Sequence, residues 1–479
     1  MSILEAEKQK KTLAPTRISK HAIMAVARLD IKNLSRTRPV LLAALIAFFA
    51  GVYSIYYGHA EMRDQQRIIK LLPIIEKQDT DYVAREFPNG AEAGSSGYYH
   101  YHPTFNQPSR WASLAIGQRD VHPFFLQINL LTLYSQIFNS ALDNPLRALS
   151  GNFDLSFVFV FVFPLFIIGL GYDIISSEEE RGTFRLLQSL STSFLQLACT
   201  KLLIRYLLVL ILASMLFLAA LLVNRISLDI KVLYWFISYC VYFFFWTMVV
   251  FFTASLRKSS AVNACTLLGI WLSLTIVLPA LLNMATINWL PVPGGYEIAV
   301  GQRQVTHAGW DKDKNETMSF FFKKYPEFAD TAPITKDFSY KWYYAMQEAG
   351  DNSVEPKALQ YMRTLRKRQE CANLLGVFCP PVEAQLIFNR IAGTDLEAEI
   401  SYLDSVKRFH NELKKHFYPL VFAEARIKAS DYAKFPKHHF EVSFNSARVF
   451  QGIAFMTLPI IVLFLIAVLN FNFNYKELS

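Results

Sequence analysis

Three consecutive carboxylates, Glu178, Glu179 and Glu180, precede Arg181, Gly182, Thr183 and Phe184, and Leu187 and Leu190 follow at helical spacing. Negative charge at a helix start is favoured by the helix dipole. The segment therefore reads as a short acid-capped helix with Phe184, Leu187 and Leu190 along one side. Such a stripe needs a surface to cover it. An acidic cluster is repelled by anionic lipid, which favours a partner protein over the bilayer. The chemistry on offer is docking, with no bond made or broken.

Other reactive side chains are sparse. His100-Tyr101-His102 with His122, and the pair His438-His439, raise metal binding. A closed site takes about four ligands, and no Cys or carboxylate stands at a supporting spacing, so these read as packed or surface histidines. The five cysteines form no CxxC, which leaves a zinc knuckle or redox motif without support. Cys371 and Cys379 share one polar stretch, where an oxidising compartment would permit a disulfide. Neither a G-x-S-x-G nucleophile motif nor a G-x-x-x-x-G-K-[ST] phosphate loop occurs. Acidic pairs such as Glu397 and Glu399 fall in charged helical stretches and read as solvated faces. The expectation is a protein that is not an enzyme and binds no cofactor of its own.

The elements that must position the acidic run are membrane spans. Hydrophobic residues make up 53% of the chain and charged ones 18%, displaced from the roughly 45–50% and 25% of soluble domains. Apolar runs at 40–57, 155–172, 202–223, 232–256, 261–282 and 449–469 are each about the length that crosses a bilayer. Pro164, Pro279 and Pro459 lie inside them, where neighbouring helices can satisfy freed carbonyls. Arg205 lies near a span end and is expected to snorkel. Ion-coupled carriers place ionisable residues at the membrane interior, and the near absence of such residues argues against that class.

The net charge of +9 is concentrated before the first span, at residues such as Lys8, Lys10, Lys11, Arg17, Lys20 and Arg28. Beside a span, a basic segment is an orientation signal, and a nucleic-acid partner is not expected. The first apolar run begins too far in for a cleavable signal peptide. Residues 1–39 form a cytoplasmic tail with an amphipathic helix over about 17–38, where Ile23, Ala27, Ile31 and Leu34 share one face suited to the membrane interface. With six spans both termini are cytoplasmic, including 470–479. The insertions 58–154 and 283–448 are extracytoplasmic, and 173–201 is a cytoplasmic loop. The second insertion holds charged helices over 355–369 and 396–417, and 89–96 reads as a mobile loop. The fold class is an all-α membrane bundle of six transmembrane helices with an N-terminal interfacial helix and two largely helical insertions.

The run Glu178, Glu180, Gly182, Thr183, Phe184, Leu186-Leu187 resembles the E-x-E-x-G-T segment of type-2 ABC exporter permeases. The order of parts is similar as well: interfacial helix, two spans, this loop, four spans. Asn144-Pro145, Gly151, Phe153 and Asp154, then Pro380-Pro381 and Arg390-Ile391-Ala392-Gly393-Thr394-Asp395, resemble a subgroup with two large periplasmic insertions. That subgroup is related to permeases of nitrous-oxide-reductase maturation and gliding-motility systems. The resemblance implies a subunit of the bacterial cytoplasmic (inner) membrane. It implies an ABC ATPase that binds ATP and Mg and docks through Glu178, Glu180, Arg181, Gly182, Thr183, Phe184, Leu187 and Leu190. A second permease, either another copy or a different chain, completes the path. The competing expectation is a membrane-anchored sensor or enzyme that acts through its outer domains.

Single cysteines at Ser95 and Ser353 are expected to react with an impermeant thiol reagent from the outer face of intact cells. Labelling of either only after the inner face is opened reverses the topology.

Overall fold

The computed structural model describes residues 20–139, 152–183 and 194–476. It is helical nearly throughout, and six helices are long and apolar enough to cross a membrane. Helix α1 (Lys20–Leu34) is followed by α2 (Arg38–Glu86), whose first turn holds Pro39, a position where the missing N–H costs nothing. Then come the spans α5 (Leu155–Glu180), α6 (Phe194–Val223), α7 (Ile230–Ser255), α8 (Ser260–Trp289) and α14 (Ser446–Lys476). The central pair is α5 and α7, whose most apolar windows are 67% buried, against 22% for α2 and 11% for α8. Aromatic rings fill the centre: Phe163 stacks on Phe243 at 5.0 Å, and Phe159 meets Tyr239 edge-on at 5.2 Å.

Two spans depart from α geometry at the same offset from a proline. A π turn covers Val158–Val162 ahead of Pro164, and another covers Ser273–Val277 ahead of Pro279. Proline cannot donate to the carbonyl one turn back, and hydrocarbon offers no water in its place. The Tyr242 hydroxyl donates to Val160 O at 2.8 Å, and the Cys379 thiol donates to Leu274 O at 3.1 Å.

The two insertions fold into one body. Its elements are α3 (Ala93–Tyr99), α4 (Leu133–Asn139), α9 (Gly295–Ala308), α10 (Lys314–Lys324), α11 (Tyr340–Gly376), α12 (Pro380–Ala392) and α13 (Leu396–Phe422), with four short strands. Strand β1 (Ala91–Glu92) of the first insertion pairs antiparallel with β4 (Arg426–Ile427) of the second, while β2 (His102–Phe105) pairs with β3 (Phe125–Ile128). A single core joins Leu126, Ile128 and Leu133 to Tyr344, Phe409 and Phe417. The stretch read as a loop at 89–96 is instead β1 and the start of α3, with Ala93, Gly94 and Ser96 buried. The helix expected at 355–369 is the middle of the longer α11.

The first span also outruns its expected end. Charges after Gly58 end the hydropathy but not the helix. Met62, Gln65, Ile69 and Leu72 are buried at helical spacing, so α2 continues as an amphipathic strut. At about 1.5 Å per residue its 49 residues extend about 73 Å, well beyond a bilayer.

At the seam, α12 enters the end of the bundle nearest the insertions. Ala384, Ile387, Phe388 and Ile391 are fully buried there, and Phe388 lies 4.5 Å from the Trp235 ring of α7. Gly393 ends α12 in the left-handed region at φ 70°, the usual place for glycine after a helix. Thr394 Oγ donates to Ala115 O at 2.9 Å, Gln118 N donates to Thr394 O at 2.9 Å, and Asp395 caps α13 by accepting from Ala398 N. Asp154 caps α5 in the same way through Phe157 N and also accepts from Ile116 N at 2.7 Å. Thr394 and Asp154 thus grip one loop, 114–118.

Glu399 is not on a solvated face. It is 5% exposed, one oxygen accepts from Asn106 Nδ2 at 3.4 Å, and the other has no partner among the described residues. Burial, only partly offset by Arg119 and the Asn106 amide, pushes its carboxyl up to about 7. The folded state therefore favours the protonated acid. That contribution is complete below the ordinary glutamate value and is lost as pH rises through 7. Glu399→Gln copies the protonated form. It is expected to raise the melting midpoint at pH 8, by at most about 3 kcal/mol of stability, and the advantage should fade as pH falls from 7 towards 4.5. A midpoint below wild type at pH 8, or a difference independent of pH, contradicts this account.

Candidate functional site

Helix α5 loses regularity after Gly171 and closes on one last turn, Ser176–Glu180. Ser176 anchors that turn. It is buried, and its Oγ lies 2.8 Å from Ser260 Oγ at the start of α8. With Ser176 held, the three carboxylates that follow point to three different elements.

Glu178 reaches α6, where Lys201 Nζ lies 2.6 Å from its Oε1 and also donates to Ile174 O at 3.4 Å. The Thr183 hydroxyl closes on the other oxygen of Glu178. Glu179 pairs with Arg257 Nε at 3.0 Å in the turn between α7 and α8. Glu180 accepts from Ser260 N at 2.8 Å and from Ser260 Oγ at 2.9 Å. The N-cap of α8, Ser259, makes no side-chain cap bond, so Glu180 supplies from another helix the acceptor that a cap residue normally provides, an interaction type worth roughly 0.5–2 kcal/mol. Exposed ion pairs contribute little singly. Here two ion pairs and the Glu180 hydrogen bonds act on one five-residue turn, and each fixes a different partner.

A second knot lies beside it. Arg205 of α6, expected to snorkel, is instead turned into the bundle with its side chain 11% exposed, and donates to Leu170 O. Its guanidinium also pairs with Asp30 of α1 at 3.5 Å and Asp173 at 3.8 Å. The face of α1 that packs on the bundle is thus marked by Asp30 and Leu34, both buried, while Ile31 and Leu29 are exposed. Ile31 was expected to share a face with Leu34. The ion pair turns the helix so that Asp30 faces inward. A cleft between α1, α5 and α6 is lined by Asp30, Asp173, Glu178, Arg181, Lys201 and Arg205.

Of the residues expected to dock a partner, Glu178 is half-buried, whereas Glu180, Arg181, Gly182 and Thr183 are exposed, Glu180 with its carboxylate on Ser260. Gly182 takes φ +73°, and a Cβ there would meet nothing within 4 Å. The need for glycine is torsional. Phe184, Leu187 and Leu190 lie outside the described residues. Lys201, Arg257 and Ser260 were not singled out as partners of the acidic run, nor Asp30 as a partner of Arg205. A signal existed for two of them: Lys201 and Arg205 stand four apart in an otherwise apolar helix, and a cation in a span needs a partner.

The cysteine pair is corrected. Cys371 and Cys379 are both free. Helix α11 stays regular through Gly376, and the Cys379 thiol, buried at the start of α12, is directed to Leu274 O of α8. Burial pushes that thiol upward from its ordinary value. His438 is packed: its Nδ1 accepts from Phe105 N at 3.3 Å and its Nε2 lies 2.9 Å from Ser405 Oγ.

Residues 296–441 match a family model described as "Domain of unknown function (DUF3526)", a stretch that begins in α9 and includes α12 and the Gly393–Asp395 turn. No curated protein and no solved structure matches the chain.

Proposed function

We propose that this chain is the permease subunit of an ATP-driven exporter of the ABC type, worked by a separate ATPase that docks on the loop 173–201. One observation carries the reading. The turn immediately before the docking segment is tied by Glu178, Glu179 and Glu180 to α6, to the α7–α8 turn and to the start of α8. A force applied to that turn therefore reaches three places in the bundle at once. A passive membrane anchor has no need of such a linkage.

The ATPase supplies ATP and Mg binding, and this chain supplies the path and the linkage. The basic N-terminus sets α1 and the acidic run in the cytoplasm and the insertion body outside. Helix α8, so little buried within one chain, offers its apolar surface to lipid and to a second permease half.

Two variants test the linkage. Phe184→Asp removes a docking side chain whose burial is worth roughly 1.5–3 kcal/mol, so ATPase affinity should fall by about 10- to 100-fold. Glu180→Lys removes the acceptor at Ser260 and brings a cation towards Arg257. It should leave the protein in the membrane at normal levels while weakening stimulation of ATP hydrolysis. Full co-purification and full stimulation in both variants would rule this loop out as the transmission element.

A further inference from the structure

Far from the acidic run, α2 passes the start of β2. His100 ends α3 with an extended backbone, φ −85° and ψ 120°, and His102 opens β2. In extended chain, residues two apart share a face. The two imidazoles accordingly meet edge to face at 4.6 Å, while Tyr101 between them is exposed. Glu76, on the part of α2 beyond the bilayer, brings its Oε1 to 3.6 Å from His100 Nε2, too far for a hydrogen bond. One ligand atom from each of Glu76, His100 and His102 lies within 4.8 Å of the other two.

The surroundings are those of a site and not of a packing accident. His102 is 2% and His100 7% exposed. No hydrogen bond to the His102 ring exists among the described residues, in contrast to His438, whose two ring nitrogens are both engaged. Aromatic rings close the back: Tyr432 and Phe435 pack on His100, and Phe409, Phe417 and Phe435 on His102. The Glu76 side chain is 32% exposed and leaves the front open.

We propose that Glu76, His100 and His102 form a three-ligand site for a divalent transition-metal ion of the zinc class, with a fourth position open to water on the Glu76 side. Two imidazoles and one carboxylate suit a borderline-soft ion and leave it an open position. Calcium and magnesium prefer an all-oxygen shell. Around a tetrahedral ion with bonds of about 2.0–2.1 Å the donor atoms stand about 3.3 Å apart. Closing onto the ion falls to Glu76, the longest and most exposed of the three. Bound there, the ion clamps the α2 strut to the insertion body. Local spacing around the histidines could not reveal this, because the carboxylate comes from a different helix.

The test uses the full-length, tag-free protein in detergent, stripped with a chelator and titrated with Zn(II), with Co(II) as a spectroscopic probe. One equivalent should bind, Co(II) should give the intense visible bands of a four- or five-coordinate ion, and saturating Zn(II) should raise the melting midpoint by mass action. Glu76→Gln and His102→Ala should each weaken binding by more than the roughly 10–100-fold that loss of an outer-shell partner costs and abolish the thermal shift. His439→Ala, an exposed histidine elsewhere, should change neither. Glu76→Gln alters a half-exposed side chain, so its unchanged elution volume and metal-free melting would separate lost ligation from lost fold. Wild-type protein that takes up no Zn(II), or a folded Glu76→Gln that binds as tightly as wild type, overturns the site.

Discussion

A backbone carbonyl inside hydrocarbon has no water to turn to, and Pro164 and Pro279 each leave one exposed to that constraint. Pro164 is answered within the bundle, by Tyr242. Near Pro279 the donor comes from outside the spans, since the Cys379 thiol reaches Leu274 O from the N-cap of α12. That contact sets where α12 must start. Once started there, its Ala384-Ile387-Phe388-Ile391 face can only be buried among α5, α7 and α14, and Phe388 comes to rest against Trp235. The turn at Gly393, the bonds from Thr394 and Gln118, and the cap at Asp395 then lock the wedge to the first insertion. The two insertions, far apart in sequence, are thereby held as one body over the bundle.

Inside that body several buried charges are enclosed by their own partners. Glu348 lies among Lys324, Lys414, Tyr325 and Tyr418 and is held down to about 2, chiefly because the lysines outweigh its burial. Neighbouring Asp351 caps α4 through Leu133 N and is pushed up to about 6 by burial. Arg119 joins Gln65 of α2 to Asn106, whose amide in turn meets Glu399 of α13. These groups bridge α2, the first insertion and the second. The strut is therefore fastened by directional bonds as well as by its apolar stripe.

The six spans were legible because a run of about 20 apolar residues matches the thickness of a bilayer and little else in a folded chain, and the all-α class follows from them. The helix at 396–417 was legible from its charge and period and ends only at Phe422. What stayed hidden was long-range. Hydropathy marks where α2 leaves the membrane but not where it stops being a helix, because Gln65, Ile69 and Leu72 are buried by a body that only forms when 283–448 folds. The disulfide between Cys371 and Cys379 failed for a similar reason: nearness in sequence says nothing of Leu274, which claims the thiol. At the acidic run the residue types were readable and the direction was not. Three glutamates in a row suggest an outward face, yet each carboxylate is bonded to the bundle, at Lys201, Arg257 and Ser260.

The acidic run and the wedge sit at opposite ends of the bundle and share two helices. Helix α7 carries Trp235 against Phe388 near one end and meets the Glu179–Arg257 pair just beyond the other. Helix α8 begins at Ser260, held by Glu180, and carries Leu274, held by Cys379. Close-packed helices resist bending more than they resist sliding or tilting as units. A shift of the Ser176–Glu180 turn would therefore be carried along α7 and α8 to the two contacts that seat α12. The π turn of α8 lies on that route, between the Glu180 contact and the rest of the span, and a single thiol donor completes it. The same bond that lets a proline stand in the span thus also couples the span to the body above it.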